Sequence, residues 1–126
     1  MGNFDLALHT LVSEATLNNP IPKEKRMYAI VFDLDQDTLS KTYHNASYNN
    51  AYADIKKVLE PHGFSRQQGS VYFGDAEKVD AVTCVLAVMD ISSKHSWFAP
   101  SVKDIRMLRI EDNNDLMPAV QRASKA

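Results

Sequence analysis

The chain has 126 residues, enough for one domain of ordinary size with a terminal arm and too few for two. With 44% hydrophobic and 24% charged residues and only 4 Gly and 5 Pro, it is neither a disordered segment nor a fibre, and a formal charge of -2 excludes an overall basic field that would coat nucleic acid. The single Cys84 excludes an internal disulfide and a cysteine zinc site, so no oxidising compartment is needed.

Asp5, His9 and Glu14 interrupt the opening residues, and no apolar run approaches the roughly 20 residues of a membrane span. A cytoplasmic protein without a membrane partner is expected. Phe4, Leu8, Leu11, Val12 and Ala15 share one stripe of a 3.6-residue period, predicting an amphipathic helix over residues 3–17 with Asn3 as its cap. Pro20 and Pro22 forbid its continuation, so residues 1–26 read as a helix and a proline-rich linker. The apolar run Tyr28 to Phe32, ending on Asp33, predicts a central strand. Residues 35–50 are polar and turn-forming. From Ser47, the positions Tyr48, Ala51, Tyr52, Ile55, Val58 and Leu59 repeat at helical spacing until Pro61 and Gly63.

Residues 64–74 read as two strands or as one strand sharply bent at Gly69. Asp75 is then placed as the cap of a helix whose apolar stripe is Val79, Val82, Leu86 and Met89. The last strand runs from Val102 to Glu111, with Val102, Asp104, Arg106, Leu108 and Ile110 on one face, and residues 115–124 form a short tail helix.

The order after Met27 is β, α, β, β, α, β, which predicts an α+β, ferredoxin-like fold over residues 27–113 with a four-stranded antiparallel sheet, followed by a tail over 114–126. Right-handed crossovers fix the spatial order as 4-1-3-2. The end of the first strand, Asp33, then lies beside the starts of its two neighbours, where Asp104 and Ser70 stand. Two carboxylates on one sheet edge can share a divalent cation such as Mg2+ or can act as base and acid, and either arrangement suits phosphodiester cleavage. Lys41, Arg66, Lys103 and Arg106 are the basic residues available for the phosphates of an RNA strand. The bland counterparts are a solvated strand end at Asp33, a turn hydroxyl at Ser70 and an Asp104–Arg106 surface pair.

Asp33-Leu34-Asp35-Gln36-Asp37-Thr38 is similar to the nucleophile motif of haloacid dehalogenase-type phosphatases, but Gln36 replaces the turn glycine and Thr38 is displaced by one position. The four histidines, His9, His44, His62 and His95, show no metal-ligand spacing and are expected on the surface.

Six stretches together carry a resemblance: Met27 to Leu34, Tyr48 to Tyr52, His62-Gly63-Phe64, Gln68 to Tyr72, Trp97-Phe98, and Ser101 to Arg106 with Glu111-Asp112. They resemble the virulence-associated protein D (VapD) family of small bacterial endoribonucleases, related in fold to the compact nuclease-like subunit of CRISPR adaptation complexes. The resemblance implies a ferredoxin-like homodimer that cuts RNA, in several members as the toxin of a toxin–antitoxin pair with a small antitoxin partner. It also implies functional roles at Asp33, Leu39, Ser70 and Asp104. The expectation is an endoribonuclease with Asp33 and Asp104 as acid/base or Mg2+-binding groups and Ser70 orienting a phosphate. The alternative is a catalytically silent dimeric adaptor of the same fold, its carboxylates merely paired with Arg106.

Overall fold

The computed structural model describes residues 27–44, 47 and 49–125; the predicted N-terminal helix, its linker and Tyr48 lie outside the described residues. β1, Met27–Leu34, is the apolar run marked by the sequence, and its alternation sets the two faces of the sheet. Ile30, Phe32 and Leu34 enter the main core cluster, with Tyr28 packed against it, so Ala29, Val31 and Asp33 lie on the opposite face.

Asp35 Oδ1 accepts the Thr38 N–H at 3.1 Å and caps α1, Gln36–Thr42, where the sequence shows only polar loop. The one residue α1 buries is Leu39, and a helix held by a single apolar contact displays no periodic stripe. α2, Asn49–Leu59, buries Ala51, Ile55, Val58 and Leu59 at the predicted spacing. It tightens into a 3-10 turn over Glu60–His62 and stops at Gly63, whose φ of 98° is left-handed.

β2, Phe64–Gln68, and β3, Val71–Gly74, resolve the open choice in this region as two strands of a hairpin. Gly69, at φ 42°, takes the first loop position, where glycine meets no Cβ penalty. The ladder passes from Arg66↔Tyr72 to Gln68↔Val71, leaving Gln67 bulged.

α3, Ala81–Lys94, departs from expectation twice. Its cap is Asp80, not Asp75: Asp80 Oδ1 accepts the Thr83 N–H at 2.9 Å, and Thr83 Oγ1 accepts the Asp80 N–H at 3.5 Å, a reciprocal capping box. Asp75 holds the preceding turn by accepting the Glu77 N–H at 2.8 Å. That turn folds back so tightly that a Cβ on Gly74 would come within 2.6 Å of Val79 Cγ1. The buried face is also different, because Cys84, Ala87 and Ile91 are buried while Val82, Leu86 and Met89 are 64%, 54% and 61% exposed. A helix apolar nearly all round does not announce which side meets the sheet, and here the smaller residues do.

α4, the single turn Phe98–Ser101, leads into β4, Val102–Ile110. The sheet order is β2-β3-β1-β4 with every neighbouring pair antiparallel, the ferredoxin-like arrangement required by right-handed crossovers. The core of Ile30, Phe32, Tyr72, Ile55, Leu59, Ile91 and Phe98 lies on the helix-covered face, each large side chain contributing about 1.5–3 kcal/mol by burial. α5, Met117–Ser124, belongs to a separate compact unit that includes the residues from Glu111 onward. No helix among the described residues is long and apolar enough to cross a membrane.

Candidate active site

The register of β1 and β4 places Asp33 directly opposite Asp104. Facing residues of an antiparallel pair project to the same side with Cβ atoms about 4.5–5.5 Å apart, so the two carboxylates share one patch at the sheet rim. On the other side of β1, the Phe32 N–H donates to the Ser70 carbonyl at 3.1 Å, bringing the Gly69–Ser70 turn against the residue next to Asp33. Two carboxylates and the backbone of Ser70, distant in sequence, lie at one end of the sheet.

A bulge aims the pair. The register shifts between Asp33 and Leu34, with Leu34 opposite Val102, so Lys103 is the extra residue of β4. Val102 packs against the core and does not share the face of Asp104, as strict alternation would have it. Beyond the bulge Asp104, Arg106 and Leu108 lie opposite Asp33, Val31 and Ala29 on the face away from the core.

Arg106 Nε donates to Asp104 Oδ1 at 3.0 Å and to Oδ2 at 3.1 Å. With 69% and 54% of the two side chains exposed, solvent screens this pair, and its worth to stability is within about 0–1 kcal/mol. Asp33 is exposed, and its carboxylate makes no hydrogen bond with a described residue. No group of three or more His, Cys, Asp or Glu able to hold a metal occurs among the described residues. The two facing carboxylates are oxygen donors of the type a hard divalent ion such as Mg2+ takes. Asp35, the second acid of the phosphatase-like motif, has its Oδ1 engaged in capping α1.

Leu39 is 0% exposed. It lies in the core cluster, where its packing holds α1 in place. Lys41 is engaged by Asp37 at 3.1 Å on the same helix. Lys103, in the bulge, is exposed. Arg66 Nε donates to the Gly69 carbonyl at 2.9 Å, on the turn that carries Ser70. Among the histidines, His62 Nε2 is 2.9 Å from Asp90 Oδ2, His44 lies against the Tyr43 ring and His95 against Trp97; His9 lies outside the described residues. Tyr43 is pushed up to about 12 by burial first and by its hydrogen bond to Asp54 second, at 2.6 Å.

One supporting group has no sequence signal. Ser101 is 0% exposed, its hydroxyl donates to the Trp97 carbonyl at 2.7 Å and lies 3.3 Å from Thr42 Oγ1, and its carbonyl accepts the Asp35 N–H at 2.7 Å. This knot ties the exit of β1 to the entry of β4, so the acidic pair sits on a braced rim. A serine before a strand resembles any turn residue, and only the fold reveals its burial.

Residues 26–117 match the family model described as CRISPR associated protein Cas2. The chain is similar to "Endoribonuclease VapD 2" of Riemerella anatipestifer, 52% identical over 94 residues that cover 75% of this chain and 99% of that protein. It is 54% identical over 95 residues to "Endoribonuclease VapD homolog" of Helicobacter pylori, covering 75% and 97%. Identity to "Endoribonuclease VapD" of Dichelobacter nodosus is 40% over 97 residues, covering 77% and 100%.

Proposed function

The chain belongs to the VapD family of Cas2-like proteins, and from that premise we propose that it is an endoribonuclease whose reaction takes place on the rim shared by Asp33, Asp104 and Ser70. The observation that carries this reading is the direct opposition of Asp33 and Asp104 in the β1–β4 ladder, with the Ser70 turn hydrogen-bonded to the residue beside Asp33.

Asp104 has both oxygens engaged by Arg106, so the two form a charged couple facing the scissile phosphate. Asp33, with no described partner, is the carboxylate able to take a proton from the attacking oxygen. The Ser70 hydroxyl supplies a donor to a phosphate oxygen. In place of that acid/base role, Asp33 and Asp104 would be the oxygen donors for Mg2+, which would supply polarisation of a phosphoryl oxygen and a coordinated water of lowered pKa.

The test is cleavage of labelled RNA and DNA by the purified chain and by Asp33→Asn and Asp104→Asn, with Mg2+ and with EDTA. RNA cleavage lost in both variants is expected; full activity in both would remove the rim from the mechanism. The Arg106–Asp104 pair equally suits a silent adaptor, for which the same assay gives no cleavage of RNA or DNA by the unaltered chain, with or without Mg2+.

A homodimer is proposed with the activity. The sheet face away from the core carries Val31, Val71, Phe73 and Leu108, but the larger apolar exposure is on α3 at Val82, Val85, Leu86 and Met89, beside a groove between α3 and β4 that includes Val88 and Met107. Sedimentation of Leu108→Glu and Met89→Glu identifies the surface used, and an unaltered chain that sediments as a monomer removes the dimer. The toxin role, with a small antitoxin as partner, predicts growth arrest on expression that Asp33→Asn relieves.

A further inference from the structure

β2 lies at the outer edge of the sheet, and its residue Arg66 sits opposite Tyr72, whose ring stacks on Phe32 in the core. Arg66 therefore leaves the sheet on the helix-covered side, whereas Asp33 and Asp104 lie on the other, with the Gly69–Ser70 turn at the rim between them. The guanidinium is fixed twice. Its Nε donates to the Gly69 carbonyl at 2.9 Å, and its carbon lies 5.8 Å from the centre of the Tyr52 ring, within range of a cation–π contact. Tyr52 is itself held, because its hydroxyl accepts from Gln36 Nε2 at 2.8 Å, at the first position of α1 after the cap.

A tethered guanidinium whose Nη groups make no hydrogen bond with a described residue is an oriented fork for a tetrahedral anion. The approach is open, since a Cβ on Gly69 would meet nothing within 4 Å. Gln67 and Gln68 continue as polar lining of a groove along the β2 edge, which also includes Lys56 and Glu60, an exposed pair at 3.7 Å in which the Lys56 cation offsets the Glu60 charge.

We propose that Arg66, oriented by Tyr52 and Gly69, forms a second phosphate subsite that holds the RNA phosphate next to the scissile one as the strand crosses the rim over the Gly69–Ser70 turn. This rests on the ribonuclease reading of Asp33 and Asp104 and adds to it the path of the substrate. It makes Arg66 a substrate-binding residue and Tyr52 a positioning residue.

The two readings fail separately. Steady-state cleavage is measured for a dinucleoside monophosphate, which has only the scissile phosphate, and for the same dinucleotide extended by one nucleotide at either end. The unaltered chain is expected to favour one extended substrate by about tenfold in KM, as one charge-assisted contact supplies. Arg66→Gln should lose that preference, its KM rising about tenfold more on the favoured extended substrate than on the dinucleotide. Arg66→Lys, which keeps the charge but loses the fork, should recover only part of it. Tyr52→Leu should raise KM for the extended substrate and leave kcat unchanged.

RNA binding by the Asp33→Asn chain, followed against salt, should lose about 0.7 from its log–log slope when Arg66→Gln is added. An unchanged substrate ratio and slope in Arg66→Gln would overturn the subsite and leave the acidic rim intact, as would equal loss on the dinucleotide and the extended substrates. Full activity of Asp33→Asn overturns the underlying reading, whatever Arg66 does.

Discussion

Replacing Leu39 by alanine separates a residue that supports the site from one that takes part in it. Leu39 is 0% exposed and is the only residue that α1 buries, so truncation removes a complete leucine contact and leaves a cavity that a short helix fills only by moving. Such replacements cost about 3–5 kcal/mol. For a compact unit of this size each kcal/mol lowers Tm by roughly 4–8 °C, so Leu39→Ala should melt at least roughly 12 °C below the unaltered chain by circular dichroism. Because α1 is capped by Asp35, the residue after the end of β1, the same loss should loosen the rim and depress RNA cleavage. Leu39→Met, close in volume, costs less than about 1.5 kcal/mol and should retain both Tm and activity. Leu39→Ala with abolished cleavage and an unshifted Tm would refute the packing argument, because an inactive but equally stable chain means that Leu39 touches substrate.

Three further outcomes are expected. Asp33→Asn, at an exposed strand end, should abolish cleavage while denaturant unfolding changes by less than about 1 kcal/mol. Asp80→Ala removes the capping box of α3 and should cost about 1 kcal/mol with kcat/KM unchanged in the cleavage assay. Asp90 is held below the ordinary carboxylate range first by its hydrogen bond with His62 and then by Lys94. A folded-state value below the unfolded one gives stability that is present above the unfolded Asp pKa and is lost as pH falls through the folded value. Asp90→Asn should therefore flatten the acid limb of Tm against pH below about pH 4, and an unchanged limb would remove this linkage.

The strand order was legible because it depends on element sequence and handedness alone, and the meeting of Asp33, Ser70 and Asp104 at one sheet end follows from it. Failures of the sequence reading arise where local alternatives have nearly equal energy. Asp75 and Asp80 both precede helical-looking residues, and tight packing of Val79 on Gly74 decides for Asp80. On α3, Val82, Leu86 and Met89 form as good a stripe as Cys84, Ala87 and Ile91, and close approach to the sheet selects the smaller set. α1 went unseen because one buried leucine makes no pattern, although Asp35 with Thr38 three positions later is the cap that announces it. The pairing of Arg106 with Asp104 was legible from alternation, whereas the brace at Ser101 was not, since burial of a serine is a property of the assembled fold.

The extra residue at Lys103 uncouples what strand β4 does at its two ends. Before it the chain anchors Val102 inward; after it the alternation starts again in opposite phase, which turns Asp104 outward to face Asp33. The bulge thus lets two residues that plain alternation would put on one face serve opposite faces, the core and the rim. Removing Lys103 alone would make Val102 and Asp104 neighbours, and plain alternation would still hold Val102 inward opposite Leu34 and Asp104 outward opposite Asp33, so the acidic rim outlasts the loss of the bulge.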